Sequence, residues 1–480
     1  MWYECLLSVW SLIGLMQPAQ MEPARPSPRY ILVRVTTQPG QIQELVDAGL
    51  DVWDPEPDGQ SVEIRVSQAE LSMLRDRGFE PVTLDPDLYA TIERTPVQVV
   101  EGQWSQYHDL TSANEFMADL ADAHPDRAAL FTIGHTVEGR PINGIRISDD
   151  ATTVDHGEPA FFIVGCHHAR EWISVEVPLY IAQQLLEGCE SDPALRSIVD
   201  RGEVWIVPIL NVDGYLYTQT TDRLWRLNRS LNDGENPGVD LNRNYSFQWG
   251  RSVGSSGVVG SENYRGPFAF SEPETRAVNH LFASRRFMGA LSYHSYGQLV
   301  LSPWGYTTAN PIDSPAMESL GVQITEIINE NHEDPNLDYY SGRWGPTLYI
   351  GSGIFEDWVY GMHRIVGILV ELRPRGSPFF LLPPEQILPT CEESFPAAIH
   401  MIETVFGPAG GAFGDFDGNH FVMPDDLAIL TRCLAGPERH TPGFPLGCPA
   451  TDMSTDGHVD LRDAALFMGG PIQADARSSR

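Results

Sequence analysis

The chain has 480 residues, enough for two or three domains with large hydrophobic cores. Its formal net charge of −34 argues against nucleic acid or an anionic membrane as a partner, because phosphate binding requires basic patches. The sequence contains no lysine, so all 31 basic side chains are arginines. This composition excludes a phosphate-binding Gly-Lys-Ser/Thr loop and Schiff-base chemistry.

Residues 1–20 have the character of a secretory leader. The apolar stretch at residues 6–16 is too short to cross a bilayer and has the length of the apolar part of a leader. It departs from the usual pattern in one respect, since no arginine precedes it. No later stretch is apolar for long enough to be a transmembrane segment. We therefore expect a secreted, extracellular protein without a transmembrane segment.

Residues 29–90 are predicted to form a small module of their own. Apolar runs predict strands, and amphipathic segments between them predict helices. The predicted strands are 30–36, 50–53, 61–66 and 80–84, and the predicted helices are 42–48 and 68–77. This βαββαβ order is that of a ferredoxin-like α+β sandwich, which can fold by itself. An exposed connector follows, residues 91–101, with Arg94 as a candidate proteolytic site.

Residues 102–406 alternate predicted strands and helices. The strand-like runs are 130–133, 144–147, 161–164, 203–209, 290–293 and 368–370. The helical patterns are 113–123, 172–186 and 271–283. The alternation predicts an α/β domain, a mixed β-sheet flanked by helices.

The most informative stretch is the turn after the predicted strand 161–164. Gly165 ends the strand, His168 follows at its mouth, and Glu171 opens the predicted helix. The change from strand to helix is where an open α/β sheet usually binds its ligands. One imidazole and one carboxylate at this spacing can hold the same zinc ion, with room for a third ligand and a water.

Later segments carry groups that could complete such a site. The strand 290–293 leads to His294, a candidate third ligand. The apolar run 368–370 ends at Glu371, and a carboxylate placed there is costly to bury unless it is used or paired. The clusters at residues 223–226 and 240–244 are rich in arginine and asparagine, which bind carboxylates.

The end of the chain contains a short repeat. A Gly/Ala/Pro-rich linker, residues 407–414, precedes two acidic loops within residues 415–470, which predict a short helical calcium-loop tail. Both loops place oxygen side chains at the ligand positions of a twelve-residue calcium loop, although His420 replaces the turn glycine of the first. The candidate calcium ligands are Asp415, Asp417, Asn419, Asp426, Asp452, Ser454, Asp456 and Asp463. This tail resembles dockerin repeats and could bind Ca²⁺ and a protein partner.

Together these stretches resemble the zinc metallocarboxypeptidases of the pancreatic carboxypeptidase A and B type. The resemblance covers residues 102–406, and residues 29–90 resemble the prosegment of that family. The motifs that carry it are Glu138-Gly139-Arg140-Pro141, His168-Ala169-Arg170-Glu171-Trp172-Ile173, Asn211-Val212-Asp213-Gly214, Trp225-Arg226, Gly238-Val239-Asp240-Leu241-Asn242-Arg243-Asn244, Tyr264-Arg265-Gly266, His294-Ser295-Tyr296, Tyr349, Asp357-Trp358 and Glu371-Leu372-Arg373.

The resemblance implies a zinc-dependent exopeptidase that removes the C-terminal residue of peptides and proteins, made as a zymogen. It implies His168, Glu171 and His294 as zinc ligands, the set established for carboxypeptidase A. It also implies Glu371 as the general base and Arg226 as the group that polarises the scissile carbonyl. The implied substrate-binding residues are Asn242, Arg243, Tyr349, Arg170, Tyr296 and Glu356.

Glu356 carries the expectation about specificity. In the family its position lies at the floor of the pocket for the C-terminal side chain. A carboxylate there predicts that basic C-terminal residues are accepted, although Glu356 could instead turn to solvent or pair with an arginine. We also expect a monomer with one zinc ion per catalytic domain.

Two other functions remain open. A related zinc amidohydrolase could cut a non-peptide or side-chain amide, but such enzymes usually lack the complete clamp of Asn242, Arg243 and Tyr349. A non-catalytic binding module anchored by the tail is disfavoured, because every catalytic position has the expected residue type. Arg170, Arg223 and Asn244 could support the site from behind instead of touching substrate.

Overall fold

The computed structural model describes residues 30–55, 60–94, 102–153, 158–232, 238–285 and 287–406. Its strands are β1 (Ile31–Thr36), β2 (Asp51–Pro55), β3 (Ser61–Val66), β4 (Val82–Asp85), β5 (Ala128–His135), β6 (Pro141–Ile147), β7 (Ala160–Gly165), β8 (Glu203–Val207), β9 (Phe287–Ser295), β10 (Leu299–Ser302), β11 (Tyr340–Arg343) and β12 (Val366–Leu372). Its helices are α1 (Gln41–Asp47), α2 (Gln68–Asp76), α3 (Leu88–Arg94), α4 (Leu110–Ala123), α5 (Ile173–Gly188), α6 (Pro193–Val199), α7 (Val212–Thr220), α8 (Pro273–Ser284), α9 (Ser314–Glu330), α10 (Trp344–Thr347), α11 (Phe355–His363) and α12 (Ile387–Phe406). The predicted leader, the connector beyond Arg94, the linker and both candidate calcium loops lie outside the described residues.

The N-terminal module, which comprises β1 to β4 with α1 and α2, has the predicted βαββαβ order. Its strands form an antiparallel sheet in the order β2-β3-β1-β4. Leu45 of α1 and Leu74 of α2 pack with the apolar side chains of the sheet in one core. A capping box between Ser67 and Glu70 satisfies backbone groups at the start of α2. Strand β2 lies at one edge of the sheet, and this edge faces the rest of the molecule.

A helix occupies the start of the predicted connector. Residues 91–94 belong to α3, and Leu88 at the beginning of this helix is 3% exposed. Leu88 and Ile92 are one helical turn apart and pack with Leu224 and Tyr296 of the catalytic domain. This contact could not be predicted from the local sequence, because the partners of the apolar pair come from distant segments.

The catalytic domain is built on one eight-stranded sheet in the order β11-β10-β12-β9-β7-β8-β6-β5. The four central strands β12, β9, β7 and β8 are parallel, whereas β10 is antiparallel to β12, and β6 is antiparallel to both of its neighbours. The predicted mixed sheet is therefore confirmed. Because the carboxyl ends of the parallel strands meet at one edge, residues that follow them are brought together.

Strand β7 lies in the middle of the core. Its residues from Phe161 to Val164 are fully buried, which accounts for a continuous apolar run instead of an alternating one. At the end of β7 only glycine fits, since a Cβ on Gly165 would lie 2.1 Å from the carbonyl oxygen of Ser174. This close approach packs the start of α5 against β7 and positions the turn between them.

None of the helices within the described ranges is long and apolar enough to cross a membrane.

Candidate active site

Three metal-binding side chains converge at the carboxyl edge of the central strands. His168 and Glu171 lie on the turn between β7 and α5, and His294 lies on β9. Their ligand atoms are within 4.8 Å of one another. The Glu171 carboxylate is 2.8 Å from His168 Nδ1 and 2.9 Å from His294 Nδ1. Two imidazoles and one carboxylate that face a common point fit a catalytic zinc ion.

The protonation of these side chains suits metal binding. Burial lowers the pKa of the His294 imidazole to about 4, which keeps the ring neutral at pH 7. Burial alone would raise the pKa of Glu171, but His168 and His294 hold that pKa well below its usual range. The neighbouring His167 instead lies 2.9 Å from the Tyr245 hydroxyl through its Nε2. His167 is thus a neighbour of the donor set and not a member of it.

A buried carboxylate, Asp240, lies behind the metal donors. Its Oδ1 is 3.2 Å from Nε2 of His168, and its Oδ2 accepts a hydrogen bond of 2.8 Å from Arg226. Burial would raise the pKa of Asp240, but Arg226 and Arg243 hold it well below its usual range. A carboxylate in this place fixes the orientation of a metal-binding imidazole and increases its basicity. Its role could not be assigned from the sequence, because the motif alone does not show which side chain Asp240 faces.

The Glu371 carboxylate is positioned by the pairing of β12 with β9. Glu371 is the register partner of His294, so both side chains lie on the same face of the sheet. Glu371 lines the same cavity as His168 and Glu171. A carboxylate beside a catalytic metal site is placed to accept a proton from a metal-bound water.

Asn242, Arg243 and Tyr349, the three residues predicted to bind a terminal carboxylate, lie close together, and the last two line the same cavity. The side-chain oxygen of Asn242 accepts a hydrogen bond of 2.7 Å from the backbone N–H of Phe355. The side-chain nitrogen of Asn242 lies 3.5 Å from His294 Nε2. A backbone carbonyl holds the guanidinium of Arg243, because Nε donates a hydrogen bond of 3.1 Å to the carbonyl oxygen of Gly254. Its Nη2 lies 3.4 Å from the Tyr349 hydroxyl. A guanidinium held in place in this way can bind a carboxylate through its remaining N–H groups.

Residues of the N-terminal module share this cavity with the catalytic domain. The predicted substrate residues Arg170 and Tyr296 lie here, together with Val52 and Trp53 of β2. The Trp53 ring packs against Tyr296 at a centroid distance of 6.3 Å. The cavity is lined by Val52, Trp53, His168, Arg170, Glu171, Arg226, Arg243, Ser295, Tyr296, Trp344, Leu348, Tyr349, Glu371 and Phe380.

Glu356 is buried at the first turn of α11 and does not line this cavity directly. Neither carboxylate oxygen has a hydrogen-bond partner of good geometry among the described residues. Burial raises the pKa of Glu356 to about 8, and Asp357 adds to the shift, against the effects of Ser292 and Arg243. The alternatives, a Glu356 that turns to solvent or one that pairs with an arginine such as Arg343, are therefore wrong; Arg343 forms an ion pair with Glu318.

Glu356 lies next to an apolar cluster that reaches the cavity. Ser292 of β9 is the register partner of Leu369 in β12, which is in turn opposite Leu301 in β10. These leucines pack with Trp344 and Ile354, and Trp344 lines the cavity beside Arg243. The Glu356 carboxylate thus lies beside Ser292, whose register partner Leu369 belongs to this apolar cluster.

Two other residues of the quoted motifs have supporting positions. Arg223 donates to the backbone carbonyls of Arg170 and Phe380, each within 2.7 Å, and stacks on Trp172. The Asn244 side chain bonds to backbone and hydroxyl groups of the segment 265–275, away from the cavity. Neither residue lines the cavity, so both act through the groups they hold.

An α/β sheet whose central strands end in two histidines, a metal-binding glutamate and a further carboxylate defines a metal-dependent hydrolase. The family model for zinc carboxypeptidases matches residues 113–397. The chain therefore belongs to the zinc carboxypeptidase family, and it is a hydrolase that acts on peptide C-termini.

Individual proteins agree with this assignment. Metallocarboxypeptidase A of Arthroderma otae is 32% identical over 398 residues, which cover 78% of this chain and 93% of the relative. Carboxypeptidase A1 of Mus musculus is 30% identical over 380 residues, with coverage of 76% and 89%. The crystal structure of thrombin activatable fibrinolysis inhibitor superposes with a TM-score of 0.67 and 25% identity, over 79% of this chain and 99% of that one.

Proposed function

We propose that His168, Glu171 and His294 hold one zinc ion and that Glu371 is the general base of peptide hydrolysis. Bound zinc lowers the pKa of a coordinated water from about 16 towards 7 and polarises a carbonyl oxygen. The Glu371 carboxylate accepts the proton of the attacking water and then delivers it to the leaving amine. The observation that carries this proposal is the register pairing of Glu371 with His294 at the ends of parallel strands.

Arg226, Asn242, Arg243 and Tyr349 act on the substrate in this proposal. Arg226 donates to the oxygen of the scissile carbonyl as negative charge develops there, while Asp240 keeps the guanidinium in place. Asn242 and Arg243 bind the terminal carboxylate, and the Tyr349 hydroxyl closes over it from its position 3.4 Å from Arg243. Because a free carboxylate is needed to occupy this group, cleavage is restricted to the last peptide bond.

Hydrolysis of hippuryl-Phe and hippuryl-Arg tests this function directly. We expect the chain, freed of its N-terminal module, to cleave at least one of them, and a zinc chelator to remove the activity. Added Zn²⁺ should restore it, since the three donors form a preorganised site. Full activity after complete removal of metal would contradict the proposal.

The side-chain preference that we propose is for basic C-terminal residues, with apolar residues also accepted. Support comes from the buried carboxylate of Glu356 next to the apolar cluster of Leu301, Leu369 and Trp344. A buried carboxylate without a partner gains most from a cation that reaches it.

We also propose that the N-terminal module keeps the enzyme latent. Its edge strand β2 covers the cavity, and several hydrogen bonds join the module to the catalytic domain. These pairs are Asp51–Arg170, Arg65–Glu262, Tyr89–Asp222 and Gln43–Ile350. The pair of Asp51 with Arg170 is buried and bidentate, so it holds the module against the catalytic domain more strongly than a surface ion pair would.

Cutting the connector between residues 94 and 102 should therefore activate the enzyme. A tethered blocker acts at an effective concentration on the order of mM, so we expect roughly 100-fold higher activity after cleavage and dilution. The measurement compares hippuryl-Phe hydrolysis by the full chain before and after limited proteolysis. Equal rates would make the module an accessory domain.

We further propose a function for the C-terminal tail and a location for the protein. The two repeats within residues 415–470 are proposed to bind Ca²⁺, the second more tightly because Gly457 occupies its turn position. Calorimetric titration of the full chain with Ca²⁺ tests this, and the absence of any heat would leave the tail a solvated acidic segment. We propose a secreted monomer whose tail carries a protein partner.

A further inference from the structure

The residue that precedes the metal donor His168 is a second histidine, which lies in the core. The chain turns at Cys166, whose φ of 54° is in the left-handed region that residues other than glycine rarely adopt. After this turn His168 lines the catalytic cavity, whereas His167 is fully buried and does not line it. Two adjacent histidines at the end of β7 thus have different surroundings.

His167 is held in place from several sides. Its Nε2 lies 2.9 Å from the Tyr245 hydroxyl, and its backbone carbonyl oxygen accepts a hydrogen bond of 3.1 Å from the side chain of Asn211. The imidazole also packs against the ring of Phe355, with 5.5 Å between the ring centroids. Among the described residues, Nδ1 of His167 has no hydrogen-bond partner. A buried nitrogen without a partner costs about 1–3 kcal/mol, which an apolar side chain in this place would avoid.

The imidazole of His167 lies nearly parallel to that of the metal donor His294. The ring centroids are 5.3 Å apart and the two planes differ by 16°. Aromatic rings at this separation and angle attract each other as a stacked pair. The ring of His168 is instead tilted by 57° from that of His294, at 4.7 Å. His167 therefore provides a flat surface against which His294 rests.

The two metal-binding imidazoles differ in what holds them on the side away from the metal. His168 has the Asp240 carboxylate 3.2 Å from its Nε2. Nε2 of His294 lies 3.5 Å from the side-chain nitrogen of Asn242, which is a donor because the oxygen of the same amide accepts from the Phe355 N–H. A neutral imidazole that binds a metal through Nδ1 carries its proton on Nε2, so it is a donor there too. Within the described ranges, no acceptor fixes the orientation of His294 as Asp240 fixes that of His168.

We propose that His167 is a positioning residue for the zinc ligand His294, whose ring it holds in the metal-binding orientation by stacking. This inference goes beyond the proposed function but rests on the zinc site assigned there. The Tyr245 hydroxyl keeps the ring of His167 in place, so the support of His294 extends into the core. Residues that orient a metal-binding imidazole contribute to metal affinity, and their loss typically weakens binding about 10- to 100-fold.

The test compares two double variants of the full chain, prepared free of zinc. Both carry Tyr245→Phe, so that no hydroxyl is left unpaired in the core. One adds His167→Phe, which keeps a flat ring against His294, and the other adds His167→Leu, which removes the ring. Competition with a fluorescent chelator gives the Kd for Zn²⁺. We expect the first variant to bind zinc within about 3-fold of the unaltered chain and the second to bind it about 10- to 100-fold more weakly.

The absorption spectrum of bound Co²⁺ reports the geometry of the same donors. Its d–d bands should be alike in the unaltered chain and in the variant with His167→Phe. They should shift or weaken in the variant with His167→Leu, because a tilted His294 changes the ligand field. A purely structural role of His167 would lower the melting temperature of the second variant without moving the Kd or the spectrum.

His363→Leu is the matched control. The ring of His363, at the end of α11, packs against Trp358 and Phe282, and it is not one of the converging donors. This variant should keep the Kd of the unaltered chain. If the variant with His167→Leu does not fold, His167→Met in the same background removes the flat ring with an unbranched side chain. Equal Kd values and spectra with and without the ring would overturn the inference, whereas an unaltered chain that binds no zinc would refute the proposed function instead.

Discussion

Glu371→Gln should retain one zinc ion per chain and lose about 10²- to 10⁴-fold in kcat on hippuryl-Phe. Glutamine has nearly the shape of glutamate, but it cannot accept the proton of the attacking water. The metal should stay because Glu371 is not among the three converging donors. Metal content by plasma mass spectrometry and kcat on the same preparation provide the measurement.

A matched substitution makes this result specific to the site. Glu392→Gln changes an exposed carboxylate of α12 and should leave kcat unaltered. If Glu371→Gln binds zinc and turns over at nearly the unaltered rate, Glu371 is not the base. Loss of both zinc and activity would instead show that Glu371 helps to hold the metal.

Glu356→Ile should reverse the side-chain preference of the processed enzyme. Loss of a desolvated carboxylate partner weakens binding of a basic C-terminal residue by about 2–5 kcal/mol. An isoleucine extends the apolar walls formed by Leu301 and Leu369, so hydrolysis of hippuryl-Phe should be kept or improved. The measurement is the ratio of kcat/KM for hippuryl-Arg to that for hippuryl-Phe.

The same ratio should depend on pH. Burial raises the pKa of Glu356 to about 8, so its carboxyl is mostly neutral below pH 8 and ionised above it. The neutral form suits an apolar side chain and the ionised form suits arginine, so the ratio should rise as pH increases through about 8. Metal and general-base titrations affect both substrates and cancel in the ratio.

Glu356→Gln is the control for both results, because it keeps the size of the side chain and removes the charge. For this variant, the ratio of kcat/KM for hippuryl-Arg to that for hippuryl-Phe should be low and independent of pH. If hippuryl-Arg is untouched by the unaltered enzyme at pH 9 while hippuryl-Phe is cleaved well, the carboxylate does not reach the substrate. The preference for basic residues would then be wrong.

The metal donors could be predicted because their signals are local. His168 and Glu171 lie within one turn, and Gly165 marks the end of the buried strand before them. His294 and Glu371 each end an apolar run, and the parallel strands of a sheet bring such ends together. The order of strands and helices in the N-terminal module was predictable for the same reason, since hydrophobic periodicity is a property of neighbouring residues.

What the sequence by itself determined is thus the mixed sheet, the donor residues and the class of chemistry. Only the tertiary structure decided which charges meet across the cavity. Asp51 and Arg170 are 119 residues apart, and Asp240 is 72 residues from His168. The burial of Glu356 and the packing of α3 likewise depend on partners from distant segments. A pairing between remote side chains leaves no periodic pattern in the chain, so it emerges only when folding brings both groups out of water and into contact.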